Sequence, residues 1–220
     1  MPKSSKLVAD VEQMLQLGGA KVTGQIELED SYVDPKNNST LIDLAEQSLN
    51  TATVAGLPAN SNGVETSAAL LTALLMDHTP AVPASARSAI LGAFADKQFL
   101  TQKANVTQPA EAVVFLAPPP YVDAAASDEN QNLLTIATQF RKGGPVLVGS
   151  AGAVGSGNVV DGVAGDATLS KTISTVDNID TQQGRVAAVL ALNEQIFFNR
   201  TGHYGVASSA TSLLPKWPEQ

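Results

Sequence analysis

The sequence contains no cysteine, and this absence excludes disulfide bonds, thiolate metal sites and thiol catalysis. Positive charge is also scarce, because 13 Lys and Arg stand against 21 Asp and Glu, giving a formal net charge of −8. This balance disfavours binding to nucleic acid or to an anionic membrane surface. Apolar runs of about 18 residues, which would be needed to span a bilayer, are missing as well.

What the sequence does contain is material for a packed core. Of its 220 residues, 44% are hydrophobic, while 15% are charged and 5% are aromatic. A chain of this length and composition buries a substantial core built mainly from small and aliphatic side chains. We therefore predict a single α/β domain over residues 1–200, followed by a C-terminal tail over residues 201–220 that contains Gly, Ser and Pro.

The first elements predicted are a helix and a strand. Apolar residues recur at helical spacing over residues 5–17, and two glycines follow as a stop signal. Residues 21–28 then alternate between apolar and polar side chains, which is typical of a half-buried strand. This order resembles the last two parts of a βαβ unit, so we expect an opening strand upstream of residue 1.

Alternation of helices with buried strands continues along the chain. Helices are predicted at residues 40–49, 64–76, 86–97, 130–141 and 182–198, with a short one near 159–163. Continuous apolar runs predict a central parallel strand at 111–117 and further strands at 145–148 and 172–176. The pattern predicts a three-layer α/β sandwich with a mainly parallel, Rossmann-like sheet whose first strand would precede residue 1.

If the sheet is doubly wound, the carboxyl ends of its parallel strands line up along one rim, and a ligand crevice would lie there at a switch in strand order. That rim is predicted to offer Tyr121, Ser150, Asp177 and Asp180. The two aspartates are alternatively, and preferably, interpreted as caps of the helix that follows them. The glycine-rich loop 149–157 resembles an anion cradle only weakly, and tight packing is the preferred interpretation.

Residues suited to metal binding or catalysis are few. Met76 and His78 form the one compact pair of a thioether and an imidazole, which is a weak copper candidate against the interpretation as a helix end. His203 is interpreted as a structural residue of the tail. Ser150 has no histidine nearby in the sequence to serve as a base, and we predict no catalytic residues and no enzymatic activity.

Three segments carry a family resemblance: GGAKVTGQIELEDSYVDP (18–35), KTISTVDNIDTQQGRVAAVLALNEQI (171–196) and TGHYGVASSATSLLP (201–215). They resemble the start and the end of the extracytoplasmic domain of the actinobacterial MctB/SteB copper transporter family. The resemblance extends in order over most of the chain and is weakest between residues 50 and 107. It implies a domain held outside the cytoplasmic membrane by an N-terminal transmembrane helix that would precede residue 1.

The resemblance implies two roles. The first is an interaction scaffold in cell separation, with envelope or cell-division proteins as partners, linked through SteA to peptidoglycan hydrolases, and with a homodimer as a further possibility. The second is a component of copper efflux or tolerance, with copper as the ligand. The scaffold is the preferred hypothesis, with no cofactor, because the sequence offers no cluster of copper ligands.

Overall fold

A computed structural model of the protein describes residues 2–52, 54, 57–77, 81–152 and 157–216, with side chains from residue 5 onward. The chain divides into two compact units. The first unit comprises residues 1–22, 112–120 and 145–220, and the second comprises residues 23–111 and 121–144. The single domain over residues 1–200 stays a prediction.

The elements alternate along the chain largely as the hydrophobic pattern indicates. The helices are α1 (Pro2–Leu17), α2 (Asp30–Val33), α3 (Asn38–Ser48), α4 (Gly63–Leu75), α5 (Ala84–Asp96), α6 (Ala126–Gly143), α7 (Val159–Gly165) and α8 (Gln182–Phe198). The strands are β1 (Gln25–Leu28), β2 (Leu100–Ala104), β3 (Val113–Ala117), β4 (Val146–Ser150), β5 (Ser174–Val176) and β6 (His203–Tyr204). Every helix predicted from periodicity is present, whereas α2, β2 and β6 were not predicted.

The first unit is built on a four-stranded parallel sheet with the order β3-β4-β5-β6. The prediction that residues 111–117 form a central strand is wrong, because β3 lies at one edge and all its residues are only half-buried. β4 is an inner strand, and all five of its residues are buried. A continuous apolar run does not distinguish the two positions, since one covered face suffices to favour it.

Strand β6 lies within the segment that the sequence predicts as a tail. His203 and Tyr204 are buried and pair with Thr175 and Val176 of β5. Two residues are too few to produce a periodic hydrophobic signal, and the surrounding Gly and Ser suggest a loop. The sheet therefore gains its fourth strand from a segment whose composition favours irregular structure.

The core of the first unit lies between the sheet and two helices. Small residues on one face of α8, Ala187, Ala188 and Ala191, are buried in a cluster with Leu147 and Val176 of the sheet. Small side chains allow the helix axis to approach the strands closely. The same cluster contains residues of α1, and α1 packs against α8.

The second unit consists of helices α2 to α6 and a two-stranded antiparallel sheet of β1 and β2. The expectation that residues 21–28 belong to a βαβ unit is therefore wrong. The alternating Gln25, Ile26, Glu27 and Leu28 suit a two-stranded ribbon with a solvated face better than a strand covered on both faces. Helix α4 packs against α3 and α6 to form the centre of this unit.

The protein is thus a mixed α/β structure with a four-stranded parallel sheet and several helices. The three-layer, Rossmann-like arrangement stays a prediction. Across the described ranges, no helix combines the length and the apolar character needed to cross a membrane.

Candidate functional site

A cavity of about 160 Å³ lies at the carboxyl ends of β3 and β4 in the first unit. It is lined by residues 117–120, Ser150, Ala151 and Asn158. Ala117 and Ser150 are the last residues of the two strands and pair with each other, so parallel pairing places both at the same rim. Parallel α/β sheets bind ligands at this rim where the strand order reverses, and the order β3-β4-β5-β6 of the described strands has no such reversal.

Ser150 is one of two residues with polar side chains among those that line this cavity. Its side chain is only 1% exposed, and its Oγ forms no hydrogen bond among the described residues. An unpaired buried hydroxyl is unfavourable, by about 1–3 kcal/mol relative to a satisfied one. Native proteins keep few such groups, and those that remain frequently belong to sites that accept a ligand or a water molecule.

Asn158 supplies the second polar side chain of the cavity. Its Oδ1 accepts a hydrogen bond from the backbone N–H of Val160 at 2.8 Å, which caps α7. Its Nδ2 group takes part in none of the hydrogen bonds formed by the described residues. Asn158 was not predicted as a site residue, although an asparagine directly before an apolar turn is a recognisable helix-cap signal.

Asp177 follows β5 but is used inside the fold. Its carboxylate accepts hydrogen bonds from the backbone N–H groups of Val206 at 2.9 Å and Ala207 at 2.8 Å, and from Nδ2 of Asn178 at 2.5 Å. The side chain is 1% exposed. Asp177 therefore anchors the segment after β6, and its predicted role as a cap of α8 is wrong.

Asp180 connects the loops that follow β4 and β5. Its Oδ1 accepts a hydrogen bond from Gly152 N at 2.9 Å, and its backbone carbonyl accepts one from Arg185. The cap of α8 is instead Thr181, whose Oγ1 accepts from Gly184 N. Gly152 has a φ of 70°, a left-handed conformation that favours glycine, and nothing lies within 4 Å of its Cβ position. Close packing in the loop 149–157 is found at Gly149, where a Cβ would lie 2.5 Å from Cδ1 of Ile179, and residues 153–156 lie outside the described residues.

Tyr121 belongs to the second unit. Its hydroxyl donates a hydrogen bond to Oδ1 of Asp30 at 2.7 Å, and its backbone N–H donates to Asn130. Burial, together with the hydrogen bond and negative charge of Asp30, raises the pKa of the Tyr121 phenol. The grouping of Tyr121 with Ser150, Asp177 and Asp180 in one ligand crevice stays a prediction, and Ser150 is the member that lines the cavity.

The two predicted metal candidates do not form a described site. Met76 is 1% exposed and packs in the second unit, where a Cβ at Gly143 or Gly144 would collide with its side chain. His78 lies outside the described residues. Within the parts of the chain that the structure describes, no three His, Asp or Glu side chains are grouped so that they would hold a metal ion.

His203 has both ring nitrogens engaged. Nε2 donates to the carbonyl oxygen of Ser170 at 3.0 Å, which leaves Nδ1 to accept from the Thr175 hydroxyl at 2.8 Å. Burial, partly offset by the Ser170 hydrogen bond, lowers the pKa of His203. The structural interpretation of His203 is confirmed, and the residue acts within a strand.

With this geometry established, comparison with known proteins gives the family. A family model described as "Copper transport outer membrane protein, MctB" matches residues 1–215. The chain belongs to the MctB family. The resemblance found in the sequence is thereby confirmed over almost the whole chain.

Curated relatives of the MctB family agree with this assignment. "Copper transporter MctB" of Mycobacterium leprae is 28% identical over 222 residues, covering 94% of this chain and 68% of the relative. The protein of the same name from Mycobacterium tuberculosis is 27% identical over 224 residues, with the same coverage. The description of the family refers to copper transport and to the outer membrane, and the name of the relatives refers to copper transport. Neither the description nor that name mentions cell separation, SteB or cell division.

Proposed function

We propose that this chain is part of a component of copper transport or copper tolerance at the cell envelope. The match of the MctB family model to residues 1–215 carries this proposal. The names of the mycobacterial relatives support it. Because this proposal follows the family name, it takes the place of the cell-separation scaffold that the sequence interpretation preferred.

Within this role, we propose that the described units are non-enzymatic and act by contact with other envelope proteins rather than by coordinating copper. Cu(I) favours sulfur ligands and Cu(II) favours clustered imidazoles. The sequence has no cysteine, three methionines and two histidines. His203 has both nitrogens occupied, and Met76 is packed in a core, so neither offers an open ligand.

The experiment is a copper-tolerance assay in cells that lack the gene encoding this chain. We expect these cells to stop growing at a lower copper concentration and to show altered cell-associated copper by mass spectrometry. The intact gene and a Met76→Leu/His78→Gln double variant should restore tolerance equally. Leucine matches the volume of methionine and preserves the core.

Two results would count against the proposal. Unchanged copper tolerance and copper content in the deleted strain would remove the copper role. If the cells also remained joined after division, the scaffold in cell separation would be favoured instead. A folded double variant that fails to restore tolerance would mean that copper is coordinated by this chain.

A further inference from the structure

We propose that the cavity at the ends of β3 and β4 is a binding site for a small uncharged molecule with one apolar ring and one hydrogen-bonding group. This site is separate from the copper role and does not depend on it. Its evidence is a cavity at the carboxyl ends of two parallel strands, lined by a buried serine, Ser150, whose hydroxyl has no partner among the described residues.

The size of the cavity sets the size of the ligand. A volume of about 160 Å³ is close to that of cavities of roughly 150 Å³ that accommodate a benzene ring in other proteins. The proline run at residues 118–120 forms one wall with fixed backbone angles and without N–H donors. Proline rings are apolar, so a wall made of them suits an apolar ring of the ligand.

The lining sets the charge and polarity of the ligand. No charged side chain is among the described residues that line the cavity, so an ion would be desolvated there without a counter-charge. Among the described residues, Ser150 Oγ has no hydrogen-bond partner, and Asn158 uses its Oδ1 to cap α7, which leaves its Nδ2 as the donor it can offer. These two groups satisfy a hydroxyl or carbonyl, whereas a sugar ring with several hydroxyl groups would leave most of them unpaired.

The test is an NMR titration of the protein with phenol, which has one ring and one hydroxyl. We expect saturable shifts of the backbone amide signals of Ala151 and Asn158, with a dissociation constant on the order of 1 mM. Toluene lacks the hydroxyl and benzoate carries a charge, so each should bind about tenfold more weakly than phenol. A Ser150→Ala variant should weaken phenol binding by a similar factor, and Ser150→Val should weaken it further, because the larger side chain reduces the space in the cavity.

Thermal unfolding without phenol separates a ligand site from a structural hydroxyl. Because Ser150 Oγ has no partner among the described residues, Ser150→Ala should unfold at the same or a higher temperature than the unmodified protein. The matched control is Ser174→Ala in β5, where the hydroxyl accepts from Gln195 Nε2 at 2.6 Å and from Gly202 N at 3.3 Å. Ser174→Ala should lower the unfolding temperature.

Three outcomes would overturn the proposal. If phenol causes no saturable shifts, or causes the same shifts in Ser150→Val as in the unmodified protein, the cavity does not bind phenol. If toluene binds as tightly as phenol, the site does not recognise the hydroxyl group of phenol. A loss of thermal stability in Ser150→Ala equal to that in Ser174→Ala means that a buried water satisfies Ser150 and that the cavity is a water site only.

Discussion

Buried polar side chains in the first unit differ in how fully they are satisfied. Asp177 and His203 are engaged on all their principal polar atoms, whereas Ser150 Oγ has no partner within the described ranges. A satisfied buried group stabilises one arrangement of the chain, because every alternative leaves it unpaired. The contrast assigns Asp177 and His203 to structure and leaves Ser150 available for binding.

The anchoring role of Asp177 predicts a large loss of stability in Asp177→Ala. The substitution leaves the backbone N–H groups of Val206 and Ala207 without their acceptor. We expect the free energy of unfolding to fall by about 2–5 kcal/mol, measured by urea denaturation. The control is Asp180→Ala, which removes the single side-chain bond to Gly152 at an exposed position and should cost about 1 kcal/mol or less. Equal losses in the two variants would contradict the anchoring role.

The lowered pKa of His203 predicts a pH dependence of stability. The folded protein then holds fewer protons than the unfolded chain between the lowered pKa and the usual value of 6.5. The stability contributed by neutral His203 is therefore complete above the usual value and is lost as pH falls through the lowered pKa. We expect wild type to lose more stability than His203→Gln between about pH 7.5 and about pH 5. Carboxylate titration affects both proteins alike, so identical losses would refute the assignment.

At the scale of elements, the start of α4 lies in direct contact with α3 in the second unit. Gly63 begins α4, and a Cβ there would overlap the carbonyl oxygen of Asn38 and approach Cβ of Leu41 to 2.8 Å. The same contact is fixed by a hydrogen bond of 2.6 Å from Gly63 N to Oδ1 of Asn38. Glycine at this position lets the start of α4 lie directly against α3.

This packing predicts opposite effects for two glycine substitutions. Gly63→Ala should destabilise the protein by about 1–3 kcal/mol, because backbone atoms must shift to admit the methyl group. Gly92→Ala in α5 is the matched control, since nothing lies within 4 Å of its Cβ position. It should stabilise the protein by about 0.5–1 kcal/mol through higher helix propensity. Chemical denaturation of both variants measures this, and a neutral Gly63→Ala would contradict the described contact.

At the scale of the whole molecule, each compact unit is assembled from separated segments. The first unit contains three segments of the chain and the second contains two. Parallel strands require long connections, so the neighbours β3 and β4 are separated by the whole of α6. That the net charge of −8 disfavours nucleic acid as a partner stays a prediction, and it does not depend on the fold.

Hydrophobic patterning predicted every described α-helix except α2, together with the buried strands β4 and β5, and the motifs near the two ends of the chain indicated the family. These signals are local, because an amphipathic helix or a buried strand is recorded in consecutive residues. Only the tertiary structure decided that β1 pairs with β2, that β3 lies at an edge and that β6 completes the sheet. Strand pairing depends on residues that are distant in sequence, and no local pattern in the sequence indicates which strands pair.

For the candidate site, too, part could be predicted from the sequence and part was decided only by the tertiary structure. The apolar run of β4 stops at Ser150, and this local signal was enough to place Ser150 at the rim. Tertiary packing decided the rest. Ser150 Oγ is unpaired among the described residues, and Asn158 lines the same cavity. The carboxylates of Asp177 and Asp180 accept hydrogen bonds from backbone N–H groups. Hydrogen-bond satisfaction is a property of three-dimensional neighbours, and residue type alone does not reveal it.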